Sequence, residues 1–431
     1  MIGTHRSTVC LFVLPGANLF VGMPQLFTVI TPQEAWLRLE PHLSSIGRVE
    51  TIATAEALGR VLAEDIVAPS NLPFFPRSTM DGYAVRAEDT YGASEGLPAY
   101  LKVTGEVIMG KPAEMRLSPA EAALIHTGGM LPQDADAVVM IENTREVDAS
   151  TIEVVRPVAK GENVLQIGEE VARGEVVFSR GSLLRPQEIG GLLSLGITKI
   201  AVFQRVKVAL ISTGDELVPP EEEPKPGQIR NTNAYTLAGL ASKAGAIPLR
   251  LGIVRDNYEA LREAAQRGMR EADIVVISAG SSVSTRDMTA DVINSLGQPG
   301  ILVHGVSLKP GKPTILASVN GKPFFGLPGN PGSAMITFEL FVTPSIHKMS
   351  GCKQPLRRFV TAKLTRNIPS APGREDYVPV KLEEKDGQLY AEPVFGKSNV
   401  LFNLIKSDGL AQVPLDKAGL AAGEPVLVTL F

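Results

Sequence analysis

Between residues 204 and 350 the chain alternates short uninterrupted apolar runs with amphipathic stretches, and this pattern constrains the fold more than any other. "RVKVALIS" and "DIVVIS" are too continuous for strands with one wet face, and "LRLGIV" joins them as a third strand. Each of them is followed by a predicted helix. One is at 233–244, with Leu237, Leu240, Ala241 and Ala244 on one stripe; the others are "NYEALREAAQRGMRE" and "MTADVINSLG". Such alternation predicts a largely parallel sheet covered on both faces. Ligands of open parallel sheets bind beyond the carboxyl ends of the strands, so the loops there are the first place to look for chemistry.

Those loops are polar. Thr213-Gly214-Asp215-Glu216, Arg255-Asp256 and "AGSSVSTRDMT" each follow a strand, the last carrying Ser282 and Asp287. After "ILVHGVS" come Lys309 and Lys312 in "KPGKP", then a short apolar hairpin, then "GLPGNPGS" with Pro328, Asn330 and Pro331. Gly280, Gly329 and Gly332 would let backbone N–H groups approach an anion, helped by helix starts expected at Met288 and Gly332. The two lysines supply full positive charges. Asp215, Asp256 and Asp287 are suited to Mg²⁺, which takes one or two carboxylates together with substrate phosphates. Taken singly, each feature has a plainer reading: a turn, a helix cap, a solvated lysine. Their convergence on one sheet edge points to a phosphate-bearing ligand. Without GxGxxG or GxxxxGK[ST], ordinary dinucleotide and P-loop sites are disfavoured.

The 431 residues call for several domains. A leader over 1–23 reads as a disordered extension or a misplaced start, being too short and broken by Pro15 and Asn18 to span a membrane. A helix is predicted from Thr31 as N-cap with Pro32 at its first position, and a second from "TAEALGRVLAEDI". Residues 24–70 and 155–203 are expected to form one discontinuous, mainly helical domain, with 71–154 a small β-rich module between them. The 204–350 α/β domain follows, and 351–431 is expected to be a β-barrel or sandwich with a hairpin turn at Asp386-Gly387. The fold class is thus multidomain α/β plus β. A net charge of −4 gives no basic field for nucleic acid. Two cysteines, neither in a CxxC pair, disfavour a disulfide framework or a structural zinc site and suit a reducing, cytoplasmic setting.

Beyond the α/β segment, "MDGYAVR" with Asp81, His126-Thr127-Gly128-Gly129 and Glu169-Glu170 are weak signals alone. Together with "ADAVVM.E", "STGDEL", "G.I.NTN", "S.G.SVS..D.T", "KPGKP" and "GLPGNPGSA", in this order over residues 25–431, they resemble the molybdopterin molybdenumtransferases, the MoeA proteins, related to the E domain of gephyrin. The resemblance implies an elongated homodimer and a cytoplasmic step of molybdenum cofactor biosynthesis. Its substrates would be molybdate and adenylated molybdopterin, with AMP released in the presence of Mg²⁺. It also implies an adenylating enzyme upstream and molybdoenzyme acceptors downstream.

By residue, the resemblance makes Asp287 the essential acid and Lys309 and Lys312 contacts to phosphate or molybdate. Asp215 and Ser282 would bind the ligand, and Pro328, Asn330 and Pro331 would shape its loop. Asp81, Thr127 and Glu169 would be contributed from the other lobe across the dimer. The sequence departs from the family pattern at Asn231, where an aspartate is usual, and in the loop at 279–284. Two other functions stay open: a non-catalytic carrier on the same scaffold, and a molybdopterin adenylyltransferase, which would consume ATP.

Overall fold

The structure, a computed structural model, describes residues 29–280, 283–353 and 359–431. Its central six-stranded sheet has the order Ile247–Val254, Lys207–Thr213, Ile274–Ala279, Lys322–Pro328, Ile315–Val319, Pro299–His304. Pairing is parallel across the first four strands. Ile315–Val319 is antiparallel to both its neighbours, so Pro299–His304 again runs with the majority. The reversed strand is one arm of the expected hairpin. Asn320 and Gly321 turn it with φ of 51° and 80°, the positive pair that a tight two-residue turn demands.

Successive strand residues serve opposite faces, as the pleat requires. Val208, Leu210, Val276 and Phe325 enter one buried cluster with helices Asn233–Lys243 and Pro331–Thr337. Ala209, Ile211, Val275 and Phe324 enter another with Tyr258–Glu271 and Val283–Ser295. The helix Pro32–Leu39 has the predicted start: Thr31 and Glu34 form a reciprocal capping box, with Pro32 at the first turn. Its Ala35 and Leu39 share the first cluster with Val303 and Val306. Arg48 fixes the same segment by donating to both oxygens of Asp273, at 2.9 and 2.7 Å. Burial alone would raise the Asp273 carboxyl; the hydrogen bonds from Arg48 and from the Lys207 N–H outweigh it and hold it below the usual carboxylate range.

The second predicted N-terminal helix is absent. Over 49–67 the chain makes the strand Val49–Ala53, a single 3₁₀ turn Thr54–Glu56 and the strand Ile66–Val67. Val49–Ala53 pairs with Lys199–Phe203, and Ile66–Val67 with Val176–Phe178. Gly59 at φ 71° interrupts the run, and the distant 164–203 segment offers the ladder partners that local spacing cannot reveal.

Residues 82–154 hold a six-stranded, mostly antiparallel sheet. In the C-terminal region five strands close into a barrel, because Glu375–Lys385 pairs both with Gln388–Pro393 and with Gly409–Val413. Asp386-Gly387 makes the expected turn, with φ of 51° and 71°. No helix among the described residues is long and apolar enough to cross a membrane.

Candidate active site

Because five of the six central strands run the same way, the loops after residues 213, 254, 279, 304 and 328 leave from one edge of the sheet. At that edge Ala279, Gly280, Thr289, Pro313, Ile315, Gly326, Leu327 and Pro328 line a small cleft open to solvent. Pro328 is therefore part of the wall. Asn330 and Pro331, both half-buried, continue the loop into helix Pro331–Thr337. Gly329 is needed for close approach, since a Cβ there would lie 2.8 Å from the Ala279 carbonyl oxygen. Asn233 fastens the same loop to the strand end: its Nδ2 donates to Ser278 Oγ at 2.9 Å and to the Gly329 carbonyl at 2.8 Å.

Two backbone expectations need correction. The helix expected from Met288 begins at Val283, so Asp287 stands on an exposed helical turn and not in the loop before it. Ser and Thr are weak helix formers, which made "SVSTRD" read as loop. Gly332 was expected to offer its N–H to an anion, but that N–H donates to the Ser398 carbonyl at 3.0 Å. Ser282 lies outside the described residues.

Asp215 and Asp256 come together, the Asp256 N–H donating to Asp215 Oδ1 at 3.3 Å while Asp256 Oδ1 accepts from Thr213 Oγ1 at 2.7 Å. Both present carboxylate oxygens of the kind Mg²⁺ takes, and such a pair suffices where substrate phosphates complete the shell. Among the described residues, no group of three or more His, Cys, Asp and Glu side chains is gathered closely enough to hold a metal without such help. Asn231 is buried, and its Oδ1 accepts from Ser212 Oγ at 3.2 Å and from the Ala234 N–H at 3.3 Å. In this chain it braces the start of helix Asn233–Lys243.

Lys309 and Lys312 are exposed at the same edge. Leu308-Lys309 also forms a two-residue edge strand on the C-terminal sheet, pairing Lys309 with Asp376. That pairing brings Arg374 beside Lys309, a cation that sequence reasoning missed. Its only local signal was "GRED" in a separate domain.

The second polar group assembles on the other sheet. Asp81 precedes strand Gly82–Val85 and Thr127 follows its antiparallel neighbour Glu121–Ile125, so register places them together. Asp81 Oδ1 accepts from the Thr127 N–H at 2.7 Å and from Thr127 Oγ1 at 3.1 Å. The Thr127 backbone bond, then its hydroxyl, hold the Asp81 carboxyl below its usual range, with His126 adding to the effect. Glu169 caps its own exposed turn, accepting from the Gln166 N–H at 2.8 Å. Among the described residues, no hydrogen bond or ion pair joins Asp81, Thr127 or Glu169 to the cleft loops.

Most of the chain has known likenesses. It matches the MoeA N-terminal region (domain I and II) over 30–196, a probable molybdopterin binding domain over 209–348, and the MoeA C-terminal region (domain IV) over 361–431. A putative molybdopterin biosynthesis protein of Methanocaldococcus jannaschii is 39% identical over 403 residues, covering 91% of this chain and 95% of its own. The molybdopterin molybdenumtransferase of Bacillus subtilis is 33% identical over 404 residues, 93% of this chain and 94% of that one. The crystal structure of a molybdopterin biosynthesis MoeA protein from Pyrococcus horikoshii OT3 superposes with a TM-score of 0.81 at 35% identity, covering 94% of this chain and 100% of that one. With three successive family regions matched in order and the architecture shared over 94% of the chain, the chain belongs to the MoeA family.

Proposed function

We propose that the protein is a molybdopterin molybdenumtransferase of molybdenum cofactor biosynthesis, inserting molybdate into adenylated molybdopterin with release of AMP. Family membership over 93% of the chain carries this reading. The sheet edge supports it, because Asp215, Asp256, Asp287, Lys309 and Lys312 all belong to elements there. In this reading Lys309 and Lys312 bind the phosphate or the molybdate, and the loop from Pro328 to Pro331 receives the pterin. Asp215 and Asp256 would hold Mg²⁺ together with the substrate's phosphates, and Asp287 would act from its helix at the same sheet edge. When bound, Mg²⁺ offsets negative charge on phosphate oxygens. The reaction is assigned to the cytoplasm, between an adenylating enzyme and the molybdoenzymes that accept the product.

Reconstitution of an apo-molybdoenzyme tests the activity. With adenylated molybdopterin, molybdate and Mg²⁺, the protein should activate the acceptor without ATP. No activation from the adenylated substrate, together with ATP-dependent adenylation of molybdopterin itself, would move the assignment to the adenylation step. Activation only by cofactor already carrying molybdenum would make it a carrier.

The separation of Asp81, Thr127 and Glu169 from the cleft loops supports a homodimer in which each site draws on both protomers. Mixing Asp81→Asn and Asp287→Ala protomers should then restore activity. Random exchange returns about one quarter of sites to the wild-type set. A mixture no more active than either variant would place both groups in a site made by one protomer.

A further inference from the structure

Asp376 belongs to the C-terminal barrel, yet its carboxylate serves two cations, one of them Lys309 from the segment after strand Pro299–His304. Its side chain is 3% exposed. Arg374 donates to it through Nε at 2.8 Å and Nη2 at 3.3 Å, and Lys309 Nζ lies 3.8 Å from Oδ2. Backbone pairing fixes the arrangement: Leu308-Lys309 runs parallel to Glu375-Asp376, and the Glu375 N–H donates to the Ser307 carbonyl at 3.0 Å. One buried negative charge faced by two cations leaves an excess positive charge on the open side. There Lys309 remains 59% exposed and Arg374 36%. A lysine on a four-carbon stem is a poorly directed charge unless something holds it. Without Asp376 the two cations would repel each other and splay into water.

We propose that Asp376 is a positioning residue that holds Lys309 and Arg374 as one unit and thereby sets the affinity of the site for its tetrahedral oxyanion. The inference rests on the reading of Lys309 as a molybdate or phosphate contact. It makes the C-terminal barrel a working part of the site.

The sign of one substitution separates positioning from simple electrostatics. Asp376→Asn adds a net positive charge, so charge alone predicts tighter anion binding, whereas loss of positioning predicts weaker binding. Calorimetric titration of the full-length protein with molybdate should show affinity falling about tenfold, the usual order for removing an outer support of a ligand contact. In a background lacking both positioned cations, Lys309→Ala with Arg374→Ala, the same change should cost less than about twofold, because the groups being positioned are gone. A merely structural role would give equal losses in both backgrounds. Asp376→Glu, which keeps the charge but displaces it, should also weaken binding and serves if the Asn variant fails to fold. Unchanged or tighter binding in folded variants overturns the proposal. Wild-type protein that binds molybdate with this dependence but releases no AMP would sink the transferase reading and leave this one standing. Turnover insensitive to Asp376 would do the reverse.

Discussion

Asp287→Ala is expected to lower kcat/KM for molybdate-dependent AMP release by about 10²- to 10³-fold, the range typical of removing one electrostatic contact to a developing charge. Asp287 is exposed on helix Val283–Ser295, two residues before the cleft-lining Thr289. The helix is anchored from its other face by Val292 and Ile293, both fully buried. Removing an exposed carboxylate from such a helix should leave the melting temperature nearly unchanged, so the loss would be one of chemistry. A variant that keeps its activity within about twofold would remove Asp287 from the site.

The largest stability effect is expected at Phe325. It is fully buried in the strand that ends at Pro328, packed on the face opposite its neighbour Phe324. Truncation to alanine removes the ring and leaves a cavity that a sheet covered on both faces cannot close, costing about 3–5 kcal/mol. Denaturant unfolding should report that shift. Phe359→Ala, at a 59% exposed position on the C-terminal sheet, should change little. Equal effects at the two positions would mean that the core does not centre on this sheet.

Much of the fold was legible because local chemistry decided it. "RVKVALIS" and "DIVVIS" could only be buried strands, Thr31-Pro32 could only open a helix, and Asn320-Gly321 and Asp386-Gly387 suit tight positive-φ turns. The misreadings arose where distant partners decided. Apolar spacing over 54–66 looked helical because its ladder partners lie more than a hundred residues away. The residues from Val283 to Asp287 looked like loop because Ser and Thr are weak helix formers and helix propensity is a weak prior. The same limit applied to the site. Acidic and basic loops at one edge followed from strand order, and Asp81 and Thr127 could be named from motif resemblance. The bond between them depends on the register Gly82 to Ile125, and the link from Lys309 to Asp376 depends on a two-residue bridge between domains. Neither leaves a periodic signal in the chain.

The central claim is that this protein couples loss of AMP to arrival of molybdate. The most direct measurement is single-turnover AMP release from adenylated molybdopterin in the presence of Mg²⁺, with and without molybdate. The account predicts stoichiometric release that requires molybdate. Tight binding of the adenylated substrate with no AMP released, or release at the same rate without molybdate, would contradict it.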